Sequence, residues 1–220
     1  MEKVGIFGGT FDPVHYGHLR IALEVREGLG LDRVVFVVSN VAPHKEVGAF
    51  APAKDRQAMV RAAVSGVEGF ELSDVEIGRP GPSYTVDTLR DLAAGGGREL
   101  YFIVGTDAFL EIHTWRAFPE FLKLARFVVV SRPGSESPGR VAGYLAERLP
   151  GCYLATRETG FAPAKEGFLP IARYRATQLD ISSTLVRKLT GEGKSLRFLS
   201  PPEVIAIIEE KGLYGYRRKN

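Results

Sequence analysis

The stretch that decides the fold is Gly8-Gly9-Thr10-Phe11-Asp12-Pro13-Val14-His15-Tyr16-Gly17-His18, which follows a short apolar run at residues 4–7. Apolar residues then recur at helical spacing from Leu19 to Leu23. The pattern predicts a buried strand that is joined to an amphipathic helix by a glycine-containing turn.

Strand and helix signals alternate along the next hundred residues. Strands are predicted at 33–38, 70–77, 99–104 and 126–131, and helices at 52–67, 84–94, 108–112, 118–125 and 141–149. This alternation is typical of an α/β fold, here a Rossmann-like doubly wound, mostly parallel sheet with helices on both faces.

The last third of the chain gives weaker signals. Residues 152–156 are predicted as an edge strand, and 157–177 have no clear period and are interpreted as a loop-like insertion. Two helices close the chain at 183–190 and 202–211. We expect one domain over 1–220, with a core up to about residue 180 and C-terminal helices over 181–220.

Composition narrows the class of protein. The chain has 220 residues, of which 45% are hydrophobic and 25% charged, as in folded globular proteins. Its longest apolar runs have the length of strands, and its first residues lack a signal-peptide pattern, so we expect a cytoplasmic protein without a membrane anchor. The single cysteine, Cys152, excludes a disulfide within the chain.

Charge is distributed unevenly around the net value of +3. Residues 1–110 hold 11 basic and 15 acidic side chains, whereas residues 111–220 hold 18 and 11. A basic half of this kind fits either a nucleic acid or a small phosphorylated substrate. Composition alone does not choose between these two partners.

Unusual polar residues follow three of the predicted strands directly. They are 8–18 after the first strand, 39–45 after the second, and Gly105-Thr106-Asp107 after the strand at 99–104. Because a doubly wound sheet binds ligands outside the carboxyl ends of its strands, these loops predict one cleft.

The pair His15 and His18 carries the strongest chemical signal. Residues three apart in a helical turn share a face, so both imidazoles can point at one ligand, with Gly17 between them. Gly8 and Gly9 allow a close backbone approach, and a helix N-terminus favours an anion. Phosphate is therefore the favoured ligand; zinc would need a third ligand nearby, and two incidental surface histidines are the other alternative.

A second anion site is predicted late in the chain. Ile181-Ser182-Ser183-Thr184 is a strong helix start, and Arg187 lies one turn further on. A capped helix with a solvated arginine is the plain alternative. Two lookalikes are interpreted as structural: Gly193-Lys194-Ser195, which lacks the first glycine of a P-loop, and Gly28-Leu29-Gly30, which has the position of a helix C-cap.

The first stretch resembles the HxGH motif of the paired-histidine nucleotidyltransferases, relatives of class I aminoacyl-tRNA synthetases. Ile181-Ser182-Ser183-Thr184-Leu185-Val186-Arg187 resembles the ISSTxxR motif of that superfamily. Within it, the chain is similar to the bacterial nicotinate-nucleotide adenylyltransferases. Further matches are Pro43-His44-Lys45, 82–89, 102–107 with Trp115, and Pro202-Glu203-Val204, so the resemblance covers nearly the whole chain. Ala42 stands where the family usually has a first proline.

The resemblance implies adenylyl transfer from ATP to nicotinate mononucleotide, which gives deamido-NAD and pyrophosphate. It implies catalytic roles for His15, His18 and Arg187 and a Mg²⁺ ion that accompanies ATP. The implied ATP-binding residues are Gly8, Gly9, Thr10, His15, His18, Gly105, Asp107, Ser182, Ser183, Thr184 and Arg187. The implied residues for nicotinate mononucleotide are Lys45, Tyr84, Thr85 and Trp115.

Several alternatives stay open at this point. The amide mononucleotide, or both mononucleotides, could be the substrate, and phosphopantetheine adenylyltransferase is a further relative that leaves 82–89 unexplained. A nucleic-acid-binding protein would need interleaved aromatic residues that the sequence lacks, and a nucleotide sensor without activity would not need all of His15, His18 and Arg187. We expect no nucleic-acid or membrane partner. The sequence permits a homo-oligomer and leaves open the roles of Arg157, Lys165, Arg173 and Arg175.

Overall fold

The computed structural model describes residues 1–41, 51–131, 138–157, 160–177 and 179–217. The strands are β1 (Glu2–Gly9), β2 (Arg33–Val38), β3 (Phe70–Ser73), β4 (Arg98–Gly105), β5 (Arg126–Ser131), β6 (Tyr153–Ala155), β7 (Gly160–Pro163) and β8 (Ile171–Arg175). The α-helices are α1 (Tyr16–Leu29), α2 (Ala53–Val64), α3 (Thr85–Ala93), α4 (Thr106–Phe109), α5 (Pro138–Arg148), α6 (Ser183–Gly191) and α7 (Pro202–Glu210). None of the helices in the described part of the chain has the length and apolar character needed to cross a membrane.

The eight strands form one sheet in the order β3-β2-β1-β4-β5-β8-β7-β6. The six strands from β3 to β8 run parallel, and β7 and β6 continue the sheet as antiparallel strands. This arrangement confirms the predicted doubly wound, mostly parallel α/β fold.

Alternate residues of the central strands pack into two apolar clusters, one on each face of the sheet. One cluster includes Ile6 and Phe102 and is covered by α3, α4 and α5. The other includes Phe7 and Ile103 and is covered by α1, α2, α6 and α7. Because both faces are covered, the strands read in the sequence as nearly continuous apolar runs.

The order of the strands reverses between β1 and β4. Ile6 of β1 pairs in register with Phe102 of β4, while the chain leaves β1 toward β2 on the opposite side. In sheets of this type, the loops on either side of the reversal separate and leave a crevice beyond the carboxyl ends of the strands. The fold therefore places a cleft beside the loop that follows β1.

The interpretation of 157–177 as a loop-like insertion is wrong for the residues that the structure describes. Strand β8 pairs with β5 in parallel register, and β7 lies antiparallel to β8. The missing signal has a physical cause, since Arg173, Tyr174 and Arg175 of β8 are half-buried or exposed and give no apolar run. Half-buried positions near the sheet margin tolerate long polar side chains with apolar stems.

The two glycines near the end of α1 have different roles. Gly30 is the C-cap and lies in the left-handed region at φ 59°, as predicted. Gly28 is a helical residue rather than a cap, and a Cβ placed on it would lie 2.3 Å from the Tyr174 hydroxyl oxygen. That hydroxyl donates to the Glu24 carbonyl at 2.7 Å, so Gly28 leaves the space in which Tyr174 joins β8 to α1.

Candidate active site

A cavity of about 1050 Å³ opens beyond the carboxyl ends of the parallel strands. Residues that follow β1, β2, β4 and β8, and the last residue of β5, contribute to its wall, together with the starts of α1, α3 and α6. The predicted site residues that line it are Gly8, Gly9, Thr10, His15, His18, Tyr84, Thr85, Gly105, Asp107, Trp115, Ser182, Ser183, Thr184 and Arg187. Lys45 lies outside the described residues, so its placement stays a prediction.

The two histidines occupy the first turn of α1. His15 is the N-cap and is only 5% exposed, and His18 is the third residue of the helix. Their ring centroids are 3.7 Å apart with an angle of 30° between the planes. The His15 backbone N–H donates to His18 Nδ1 at 3.3 Å, so the neutral His18 ring carries its proton on Nε2.

Gly17 is the residue that permits this packing. A Cβ at position 17 would lie 3.0 Å from His15 Nδ1 and 3.4 Å from the Ile181 carbonyl oxygen. The glycine therefore gives room to the His15 ring on one side and to the segment before α6 on the other. Gly9 has a related role, because a Cβ there would lie 3.0 Å from the Phe11 ring.

The loop after β1 is held by a buried acid. Asp12 is 3% exposed, and its Oδ1 accepts hydrogen bonds from the Ala51 N–H at 3.1 Å and the Tyr214 hydroxyl at 2.7 Å. Burial and the bond to Asp12 raise the pKa of Tyr214 well above its usual value. Tyr214 therefore stays a neutral donor, and it connects the end of the chain to the loop.

Arg56 on α2 also holds the loop after β1. Its guanidinium donates to three backbone carbonyls, those of Thr10, Asn40 and Ala51, at 2.7 to 3.1 Å. Burial lowers the pKa of Arg56, and the nearby Asp12 carboxylate partly offsets that effect. Three fixed carbonyls from separate segments give this part of the wall a defined shape.

The ISST segment meets the histidine loop through direct contacts. Ser182 is the N-cap of α6, and its side chain accepts from the Leu185 N–H at 3.1 Å, which confirms the predicted helix start. The Ser183 hydroxyl donates to the Pro13 carbonyl at 2.9 Å. Arg187 donates to the Asp12 carbonyl at 2.6 Å through Nη1. Two segments about 170 residues apart in sequence therefore form one wall of the cavity.

The end of β4 contributes a polar rim. Gly105 is the N-cap of the short helix α4, and Asp107 in its first turn has a side chain that is 68% exposed. The Asp107 carboxylate lies 3.9 Å from the Arg140 guanidinium, an exposed ion pair that costs little to exchange for another partner. Asp107 is thus accessible from the cavity.

The start of α3 faces an aromatic part of the cavity. Tyr84 is the N-cap of α3 and Thr85 its first residue. The Trp115 ring packs edge-on against Phe102 at 6.2 Å and beside Phe121 at 5.9 Å, while also lining the cavity. Trp115 is therefore both part of the apolar packing and part of the cavity wall.

Three side chains of this region escaped the sequence reasoning. Glu76 is 8% exposed and accepts a hydrogen bond from the Thr88 hydroxyl at 2.6 Å, and both residues line the cavity. Arg116 also lines it, and its guanidinium lies 4.7 Å from the centre of the Tyr84 ring. The position of Arg116 directly after Trp115 was the signal that could have identified it. His113 contacts the Tyr144 hydroxyl through Nδ1 at 3.2 Å.

The fold and the cavity together define a nucleotide-binding α/β protein in which the histidine loop and the ISST segment meet at one site. Residues 6–189 match the model of the cytidylyltransferase-like family. A Desulfatibacillum aliphaticivorans protein described as a probable nicotinate-nucleotide adenylyltransferase is 47% identical over 215 residues, which cover 96% of this chain and 99% of the relative. A Pelobacter propionicus protein of the same description is 39% identical and covers 96% and 98%.

A solved structure has the same fold. The Plasmodium falciparum nicotinic acid mononucleotide adenylyltransferase, complexed with NaAD, superimposes with a TM-score of 0.73 over 99% of both chains, at 17% identity. The chain belongs to the cytidylyltransferase-like family and, within it, to the nicotinate-nucleotide adenylyltransferases.

Proposed function

We propose how this cavity carries out the reaction of its family, the transfer of the adenylyl group of ATP to nicotinate mononucleotide. The mononucleotide phosphate is the nucleophile, so no side chain has to form a covalent intermediate. A phosphate oxygen bonds to the α-phosphorus of ATP, and the bond from that phosphorus to the bridging α,β-oxygen breaks. The products are deamido-NAD and pyrophosphate.

Charge is the main obstacle to this reaction, because two polyanions must approach each other. We assign His15 and His18 to the phosphates of ATP, where the Nε2 proton of His18 supplies a donor to the oxygens that gain charge. Arg187 and the amides at Ser183 and Thr184 take the β- and γ-phosphates. An arginine fork and a helix start are both suited to phosphate oxygens.

The adenosine end of ATP is assigned to the edge of the sheet formed by β1 and β4. Gly8, Gly9 and Thr10 form the wall beside it, and Gly105 and Asp107 lie at the rim. A carboxylate that accepts ribose hydroxyls acts as in dinucleotide-binding folds. The exposure of Asp107 is compatible with that contact.

The nicotinate ring is assigned to the aromatic part of the cavity. Trp115 offers a flat apolar surface to the ring, and the start of α3 at Tyr84 and Thr85 favours the ring carboxylate. Lys45, outside the described residues, stays a candidate for the mononucleotide phosphate.

Mg²⁺ would enter the site as part of the MgATP substrate. Among the residues that the structure describes, no group of three His, Cys, Asp or Glu side chains could hold a metal ion. In the proposal, Mg²⁺ keeps most of its waters and is held by the triphosphate of ATP rather than by a cluster of side chains. A cytoplasmic location and a homo-oligomeric state also stay predictions.

The observation that carries the proposal is the joining of the two motifs, in which Ser183 and Arg187 bind the backbone of the loop that leads to His15. The test is to mix the protein with MgATP and nicotinate mononucleotide and to measure pyrophosphate and dinucleotide. We expect both products in equal amounts, and release of pyrophosphate without dinucleotide would contradict the proposal.

A further inference from the structure

We propose that Arg116 is a specificity-determining residue that favours the acid form of the mononucleotide over the amide form. The inference rests on the proposed function, since it places the nicotinate ring beside Trp115. It identifies the side chain that reads the charge on that ring.

Arg116 makes two contacts at the mouth of the cavity, and its side chain is 59% exposed. Its guanidinium carbon lies 4.7 Å from the centre of the Tyr84 ring, at cation–π distance, and Nη1 lies 3.5 Å from Asp87 Oδ2. Tyr84 is the N-cap of α3, so the guanidinium lies beside the start of that helix. The cation is therefore held where the ring carboxylate is expected.

The cavity contains two guanidinium groups among its described lining residues, Arg116 and Arg187. Arg187 is bonded to the loop after β1, on the side of the paired histidines. Arg116 follows Trp115 directly in the chain, and its guanidinium lies against the start of α3. One cation thus serves the triphosphate, and the second has no phosphate assigned to it.

The surrounding charges explain why a cation is needed there. Asp87 lies in the first turn of α3, so its carboxylate opposes a second carboxylate at the start of that helix. Asp87 is shared between Arg116 and Arg90, at 3.5 Å from each guanidinium. Of these side chains, Arg116 is the cation that lines the cavity, so it offsets the repulsion that an acid substrate would meet.

The distinction between the two substrates follows from chemistry. The acid and amide mononucleotides share the ring, the ribose and the phosphate, and differ in whether the ring substituent is charged. A guanidinium forms charge-assisted bonds with a carboxylate and gains much less from a neutral amide. Because this attraction is the same before and during the reaction, it changes KM more than kcat.

The test compares the two mononucleotides on wild-type protein and on Arg116→Gln. We expect Arg116→Gln to raise KM for the acid about threefold to tenfold, with little change in kcat or in the values for the amide. Arg116→Lys keeps the charge but loses the planar fork. Its preference for the acid, measured as the ratio of kcat/KM for the acid to that for the amide, should lie between the values of the wild type and of Arg116→Gln. Arg90→Gln is the matched control, because it removes an equal charge from the same Asp87 outside the cavity wall and should leave the ratio unchanged.

Binding gives a readout that does not depend on turnover. The sequence contains one tryptophan, so quenching of fluorescence on titration reports on Trp115. We expect the preference for binding the acid over the amide to fall in Arg116→Gln and to fall in wild type as salt is raised, since the guanidinium is solvent-exposed. Equal losses for acid and amide would overturn the inference and show that Arg116 only supports Tyr84. Absence of dinucleotide from the wild type would count against the proposed function instead.

Discussion

The packing of the two imidazole rings depends on a residue that has no side chain. Gly17 faces His15 on one side and the Ile181 carbonyl on the other. A Cβ at this position would lie 3.0 Å from His15 Nδ1 and 3.4 Å from the Ile181 carbonyl oxygen. The His15 ring has little freedom to yield, because it is 5% exposed and stacked on His18 at 3.7 Å. The geometry of the proposed catalytic pair is therefore set by the backbone beside it.

Gly17→Ala is expected to lower kcat about tenfold to hundredfold, because small displacements of positioned groups are costly in catalysis. It should also lower Tm, because the crowding of the His15 ring and the Ile181 carbonyl outweighs the better helix propensity of alanine at this second position of α1. Kinetics and thermal melts measure the two effects. Gly143→Ala on α5, where a Cβ would meet nothing within 4 Å, is the control and should keep full activity. A Gly17→Ala protein with normal kcat would refute the steric argument.

His18→Ala is expected to lower kcat about a hundredfold or more with a native melting curve, because it removes one donor from the phosphate site. The assay is dinucleotide formation at saturating MgATP and nicotinate mononucleotide. His113→Ala is the matched control, since His113 contacts Tyr144 rather than the cavity. Activity near that of the wild type in His18→Ala would exclude the proposed role of His18.

Strands with two covered faces were the easiest elements to predict from the sequence. Apolar runs predicted β2 and β5 at the bounds that the structure has, and α6 and α7 were confirmed from their starts. Strand β8 was missed because Arg173 and Arg175 lie where burial is incomplete and the apolar pattern is lost. Partial burial erases the periodicity on which sequence prediction depends.

The site was predicted where motifs mark it and missed where it depends on tertiary contacts. The glycines, histidines and ISST residues can be recognised by their spacing. Glu76 carries no such motif, since its burial depends on the contact with Thr88. Arg116 has one local signal, its place directly after Trp115, but its contact with Tyr84 appears only in the folded chain.

The pairing of α1 with the end of β8 predicts a pH dependence. The Glu24 carboxylate on α1 accepts a hydrogen bond from the Thr177 backbone N–H at 2.7 Å and forms an ion pair with Arg20. Thr177 also lines the cavity. Burial alone would raise the pKa of Glu24, but the bonds from Thr177 and the contact with Arg20 outweigh it and hold the pKa below 4.5. The ionised form is therefore favoured in the folded state, and its contribution to stability is lost as pH falls through the lowered pKa.

Glu24→Gln should lower Tm at pH 7, and the difference from wild type should shrink as pH falls below about 4.5, the ordinary pKa. Thermal melts from about pH 3 to 7 measure this. Glu27→Gln, one turn along α1 at an exposed position, should show a smaller difference at pH 7. A Glu24→Gln difference that stays constant across this range would show that ionisation of Glu24 makes no contribution.

Across the molecule, contacts from the later part of the chain hold the loop after β1, which forms one wall of the cavity. Ser183, Arg187, Ser200 and Tyr214 bind the stretch from Asp12 to Val14, at separations of 170 to 202 residues. The acidic first half supplies the histidines and the basic second half supplies Arg187 and the cap of α6. Among the described residues, the basic side chains that line the cavity are Arg116 and Arg187, so most of the basic surplus of the second half lies outside it.

The last of these contacts, from Tyr214 to Asp12, should contribute measurably to the stability of the whole chain. Tyr214→Phe leaves a carboxylate that is 3% exposed with one donor fewer at Oδ1, and Oδ2 is already buried without a hydrogen-bond partner. Loss of a bond to a buried charged group costs about 1.5–3 kcal/mol, and urea denaturation should show a fall of this size in the free energy of unfolding. Tyr216→Phe, the same change two residues later, should cost less. Equal losses in the two variants would mean that the hydrogen bond from Tyr214 to Asp12 adds no stability beyond the packing of the ring.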